Sequence, residues 1–206
     1  FQSQEEVDSH GEQPGKGLGR IRYKDLNGDG KINDEDRTWL GVEDPDFLYG
    51  LNIGASWKNM DFQMFWNGQV GSHTYNWLKE FTDFYGFFGG QNYGTRLLDG
   101  WRPDNINTTI PAVSGSDVNN EIRTSDYFVE NTSFLKLANF ELGYNLPENV
   151  LKTVRMQHAR VYISGQNLLT IKKSGGKNAF TGVDPETPRF AYPVPRSFTV
   201  GLNVSL

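Results

Sequence analysis

The run from Asp25 to Asp36, Asp-Leu-Asn-Gly-Asp-Gly-Lys-Ile-Asn-Asp-Glu-Asp, sets an oxygen-bearing side chain at nearly every second position. Counted from Asp25 as position 1, Asn27, Asp29, Gly30, Lys31, Asn33 and Asp36 fall at 3, 5, 6, 7, 9 and 12. Calcium is a hard cation, and a loop that wraps it needs oxygens at this alternating spacing, with a glycine at the sharp turn. Lys31 would offer only its backbone carbonyl. The expected ligand set is therefore Asp25, Asn27, Asp29, Lys31, Asn33 and Asp36, with Ca2+ as a structural brace. Asp36 is shorter than the glutamate usual at position 12. Arg20–Tyr23 reads as extended, so this is not a helix–loop–helix site. A cluster of Asn-Gly and Asp-Gly turns that needs no ion is the competing reading.

A second group of residues suits ligand contact. Trp77, Phe84, Tyr85, Phe87, Phe88 and Tyr93 crowd one Gly-rich stretch. Aromatic faces of this kind could stack on sugars; the competing reading has them packing the loop down. Catalysis has no such support. His10, His73 and His158 are far apart, without the His-Glu-x-x-His spacing of a zinc enzyme. No nucleophile or acid/base pair stands out, and the expectation is that the chain is not an enzyme.

The elements that must position these groups are strands. Phe47, Tyr49, Leu51, Ile53, Ala55 and Trp57 alternate with Asn52, Gly54 and Ser56. After Lys58-Asn59 the alternation resumes: Met60, Phe62, Met64, Trp66 and Val70 against Asp61, Gln63, Asn67 and Gln69. Two period-two runs joined by two residues predict a hairpin. Further strands are expected over 134–146, 160–171 and 196–206, the last alternating without a break. Ser3-Gln-Glu-Glu6 reads as a capping box that opens a short helix. Residues 147–153 read as a short helical or turn link, and 172–195 as a polar loop with four prolines. From Gly71 to about Thr124 no period is sustained.

The 206 residues carry no cysteine, which excludes a disulfide scaffold and any Cys-based zinc site. A formal charge of −5 with no basic stripe argues against nucleic-acid partners. No apolar stretch is long enough for a transmembrane helix. Strands of about nine to eleven residues with one apolar face do suit a membrane barrel. About five strands cannot close one, since the smallest use about eight. The start at Phe1 has no leader character, and the expectation is a chain that begins within a longer protein. Long stretches without period are also expected of a barrel, whose outer loops are long. The alternative is a secreted, calcium-stabilised β-sandwich that binds carbohydrate, in which the apolar faces meet each other.

Several motifs, in order, resemble the late part of SusC/RagA-type TonB-dependent transporters. They are Asp25–Arg37 followed by the hairpin ending Trp66-Asn-Gly-Gln-Val70, then Leu98–Asn105 before Ile110-Pro111. Tyr127–Leu137, Leu142–Pro147, Val161–Leu169 and Tyr192–Phe198 complete the series. The resemblance covers about Gly17 to Leu206. It implies an all-β chain: five antiparallel transmembrane strands with long outer loops, part of a barrel of about 22 strands in the outer membrane of a bacterium. Residues 1–46 would form an extracellular loop region holding the calcium-type loop 25–36. Residues 47–206 would form barrel strands and loops, with a long outer loop over 71–126. The function implied is import of oligosaccharides, or of peptides in some members. The partners implied are the rest of the barrel with its N-terminal strands and plug, a SusD-type surface lipoprotein, TonB through the N-terminal part, and outer-membrane lipid.

Overall fold

The eleven-residue alternation of Phe47–Trp57 becomes β1, and Lys58, at a φ of 53°, begins the tight turn into β2, Met60–Val70. The structure is a computed structural model, and it describes residues 1–84, 92–173, 178–188 and 192–205. Along the chain follow α1 (Gln4–Ser9), β1, β2, β3 (His73–Tyr75), α2 (Leu78–Asp83), β4 (Val129–Asn131), β5 (Phe134–Asn145), α3 (Glu148–Val154), β6 (His158–Lys172) and β7 (Ser197–Ser205). Half of the predicted α1 capping box is present: Ser3 Oγ accepts from Glu6 N at 3.2 Å, while Glu6 Oε2 accepts from Gln2 N, the residue before the cap, at 2.7 Å. Leu206, the end of the predicted last strand, lies outside the described residues.

Five strands form one antiparallel sheet in the order β1-β2-β5-β6-β7. Its register keeps like faces together. Ala55 pairs with Phe62, Phe62 with Leu142, Leu142 with Ile163 and Ile163 with Val200. Ser56, Asp61, Gly143, Tyr162 and Gly201 form the adjacent row on the opposite face. Two bulges, between Phe65 and Trp66 and between Leu137 and Asn139, restore this match where the count of residues would break it. The apolar face is uncovered: Trp57 is 68% exposed, Phe198 and Val200 78%, Leu202 62%. A sandwich would bury this face against a second sheet, and the other sheet, β3 with β4, has only three residues in each strand. So wide an apolar surface needs a hydrocarbon solvent rather than water. No helix among the described residues is long and apolar enough to cross a membrane.

The chain divides into two compact units. One comprises Val42–Thr74 and most of the chain after Asn131, and contains the five-stranded sheet. The other joins Phe1–Gly41 to Tyr75–Glu130. The stretch without sequence period is thus folded together with the N-terminal region, a grouping that differs from a division at residue 46. The reason lies in its interior. Phe128 is fully buried and Phe84 and Leu97 nearly so, but much of the rest is polar. Gln13 donates to Asn119 at 2.7 Å, and Arg20 pairs with Glu121 at 2.7 Å. Lys79 pairs with Glu130 at 3.1 Å, and Asn76 donates to the same carboxylate at 2.8 Å. Buried charges must be paired, and these pairs join segments far apart in sequence.

Candidate functional site

The oxygen-rich loop folds on its own side chains. Asp25 accepts from Gly28 N at 2.6 Å and Gly30 N at 2.8 Å, one bond to each carboxylate oxygen. Asn27 Oδ1 accepts from Asp29 N at 3.0 Å, and Asp29 Oδ1 from Lys31 N at 2.8 Å. Gly28 and Gly30 both sit at φ 80°, where a β-carbon would be strained. Asn33 caps a 3-10 turn, Asp34–Asp36, and Asp36 closes the loop by accepting from Leu26 N at 2.7 Å and Asn33 N at 2.9 Å. The backbone donors of Asn33 and Leu26 hold the Asp36 carboxyl below the usual carboxylate range. Glu12 anchors the loop from outside, bonding Gly30 O and Ile32 N. Glu35, absent from the expected ligand set, accepts from Asn27 Nδ2 at 3.2 Å.

The expected ligands Asp25, Asn27, Asp29, Asn33 and Asp36 are therefore brought into one tight loop. Their donor chemistry suits a hard cation. Among the described residues, however, no group of three or more acidic or histidine side chains converges as a metal cage. The carboxylates of Asp25 and Asp36 and Oδ1 of Asp29 accept from backbone N–H groups instead, and Asp29 Oδ2 and Glu35 Oε2 from the Asn27 amide.

The aromatic stretch separates into unlike residues. Trp77 is 55% exposed, its ring 5.0 Å from Tyr75, which lies 5.3 Å from the buried Phe128. It is the solvent end of an aromatic series rooted in the core. Tyr93 is 40% exposed. Phe84 corrects the expectation of a ligand face: at 4% exposure it packs edge-on against Tyr127 at 5.7 Å, so its ring is part of the interior. Tyr85, Phe87 and Phe88 lie outside the described residues. Behind this aromatic series Tyr127 donates to Asp83 at 2.5 Å. Burial, then the Asp83 charge, pushes the Tyr127 phenol well up, so it stays a proton donor. Burial pulls the Lys79 ammonium down, and Glu130 opposes that shift.

Sequence reasoning missed a charged cluster on the polar face of the sheet. Arg160 of β6 donates through Nε to Asp61 of β2 at 3.0 Å and through Nη2 to Glu141 of β5 at 2.7 Å. The missing side chain of Gly143 makes room, since a β-carbon there would lie 2.3 Å from Arg160 Nη2. The signal available in the sequence was a charge at a polar-face position in three separate strands.

No protein-family model matches the chain. Over its whole length it is 32% identical to TonB-dependent receptor P26 of Formosa agariphila, of which it spans 21%. Over 89% of its length it is 30% identical to TonB-dependent receptor SusC of Bacteroides thetaiotaomicron, spanning 17% of that protein. Among solved structures, the RagAB peptide importer in its closed-closed state aligns with 88% of this chain and 20% of its own, at a TM-score of 0.69 and 28% identity. The chain spans about a fifth of the length of the relatives it matches.

Proposed function

Because the chain belongs to the SusC/RagA-type TonB-dependent receptors of the outer membrane and corresponds to their C-terminal part, we propose that it forms a wall of an importer for oligosaccharides. The observation that carries this reading is the amphiphilic sheet, apolar and exposed on one side and polar on the other. A wall of that kind faces lipid outward and an aqueous path inward. The importer works with a SusD-type lipoprotein, a plug, and TonB as its energy source. Trp77 and Tyr93, exposed on the other unit, are the aromatic faces offered to a sugar ring. Peptides are the second reading, favoured by the likeness to the RagAB peptide importer.

The test compares cells with and without the full-length receptor, fed labelled oligosaccharides and labelled peptides. Loss of oligosaccharide uptake supports the first reading, and loss of peptide uptake alone moves the assignment to the second. Unchanged uptake of both overturns the importer. Calcium belongs to the same proposal as a brace for residues 25–36. Terbium luminescence should saturate on the wild-type receptor, be displaced by calcium, and vanish in Asp25→Asn/Asp29→Asn. Equal luminescence in the two proteins would remove calcium from this loop.

A further inference from the structure

The polar side of the five-stranded sheet is not bare where β5 begins. Lys136 lies opposite Asn67 of β2 and Thr170 of β6, on the face that also carries Asp61, Glu141 and Arg160, yet it is only 2% exposed. The segment returning from β6 toward β7 covers it. Asp184 and Glu186 both pair with the Lys136 ammonium, Asp184 at 3.7 Å. Lys172, opposite Phe134 in register, donates to the Gly182 carbonyl at 2.5 Å and holds its ammonium 4.9 Å over the Phe180 ring. Phe180 and Pro185 are buried, as is Phe134 beneath the Lys136 ammonium, whereas Val183 stays exposed at 72%. The segment stiffens itself, with Asp184 Oδ1 accepting from Glu186 N at 3.0 Å and its carbonyl from Thr187 N at 3.2 Å.

We propose that residues 180–188 form a strap folded inward on the lumen side of this wall, narrowing the path of a solute, with Lys136 and Lys172 as its positioning residues. The proposal rests on the importer reading, in which the polar side faces the lumen. The two lysines supply the polar attachment beside the apolar contact of the buried Phe180 and Pro185. An ammonium as buried as Lys136 is stable there only while paired. Replacing it with methionine strands the nearly buried Asp184, which is better solvated with the strap lifted off.

The probe is a cysteine at position 67, the cross-strand neighbour of Lys136, where the Asn67 Oδ1 is buried. These 206 residues contain no cysteine, and the full-length receptor without the Asn67→Cys change serves as the labelling blank. In the full-length receptor, Asn67→Cys is treated on intact cells with a bulky, impermeant maleimide. Labelling should be slow with both lysines present and roughly a hundredfold faster with Lys136→Met/Lys172→Met, the size expected for loss of a buried ion pair. Lys136→Arg/Lys172→Arg, which keeps the charge, should stay slow. Equal labelling in the lysine and methionine forms, in a receptor that still migrates as a heat-modifiable barrel, overturns the strap alone. A wild-type receptor that is not heat-modifiable overturns the wall reading and the strap with it.

Discussion

Arg20→Met should loosen the attachment of residues 13–23 to residues 112–123 while leaving the sheet intact. Arg20 Nη1 donates to Glu121 Oε2 at 2.7 Å, with side chains 9% and 1% exposed. Among the described residues the other oxygen, Oε1, accepts from neutral donors, Ile21 N at 3.0 Å and Asn119 Nδ2 at 3.4 Å. Methionine fills much of the volume but leaves a buried carboxylate without its ion-pair partner, a loss of about 3–5 kcal/mol. At about 1.4 kcal/mol per tenfold, local opening becomes ~100- to ~4,000-fold more frequent. Hydrogen exchange by mass spectrometry on the full-length receptor in detergent reads this directly. Peptides over 13–23 and 112–123 should exchange faster, and peptides of β1, β2 and β5–β7 should not. Arg20→Met/Glu121→Leu should return most of the protection, because an apolar pair of like volume carries no desolvation penalty. The reasoning fails if the single variant exchanges like wild type, or if the double variant is as loose as the single.

Gly201 lies under the Tyr162 ring, and a β-carbon there would sit 2.2 Å from Tyr162 Cζ. Gly201→Ala should destabilise the β6–β7 pairing by about 1–3 kcal/mol, seen as a lower heat-modification temperature. Adding Tyr162→Ala should recover most of it, and failure to recover would rule out the steric cause. Asp36 should titrate below the ordinary carboxylate value of about 3.9, because two backbone donors favour its charged form. A depressed pKa contributes stability that is present above the unfolded value and lost as pH falls through the folded one. The loop should therefore loosen only in acid, and a carboxyl midpoint by NMR at or above the ordinary value would contradict this. Trp77→Ala should weaken oligosaccharide retention by up to roughly tenfold, the worth of one aromatic contact. Phe84→Ala should instead act through stability, as a cavity of about 3–5 kcal/mol. Binding assays beside thermal melts separate the two, and equal effects of both variants on both readouts would refute the division.

The sheet was legible because its information is local. Period-two alternation decides the faces in β1, β2 and β7, and in β5 and β6 on either side of their bulge, and the Lys58-Asn59 turn joins the first two. The oxygen-rich loop was legible for the same reason: its hydrogen bonds span two to ten residues. The unit built from Phe1–Gly41 and Tyr75–Glu130 was not legible. Its organising contacts, such as Arg20 with Glu121 and Gln13 with Asn119, lie 101 and 106 residues apart. Composition also could not tell Trp77 from Phe84, since both belong to one aromatic stretch and only burial separates them.

By itself, then, the sequence determined an all-β chain with one lipid-compatible face and the motifs of its family. Both follow from residue types at fixed short spacings. Only the tertiary structure decided which polar residues meet on the other face: Arg160 with Asp61 and Glu141, and Lys136 with Asp184 and Glu186. A pleat assigns each residue to a face from its immediate neighbours. Its cross-strand partner depends on register, which here turns on bulges after Phe65 and Leu137 that no local period encodes.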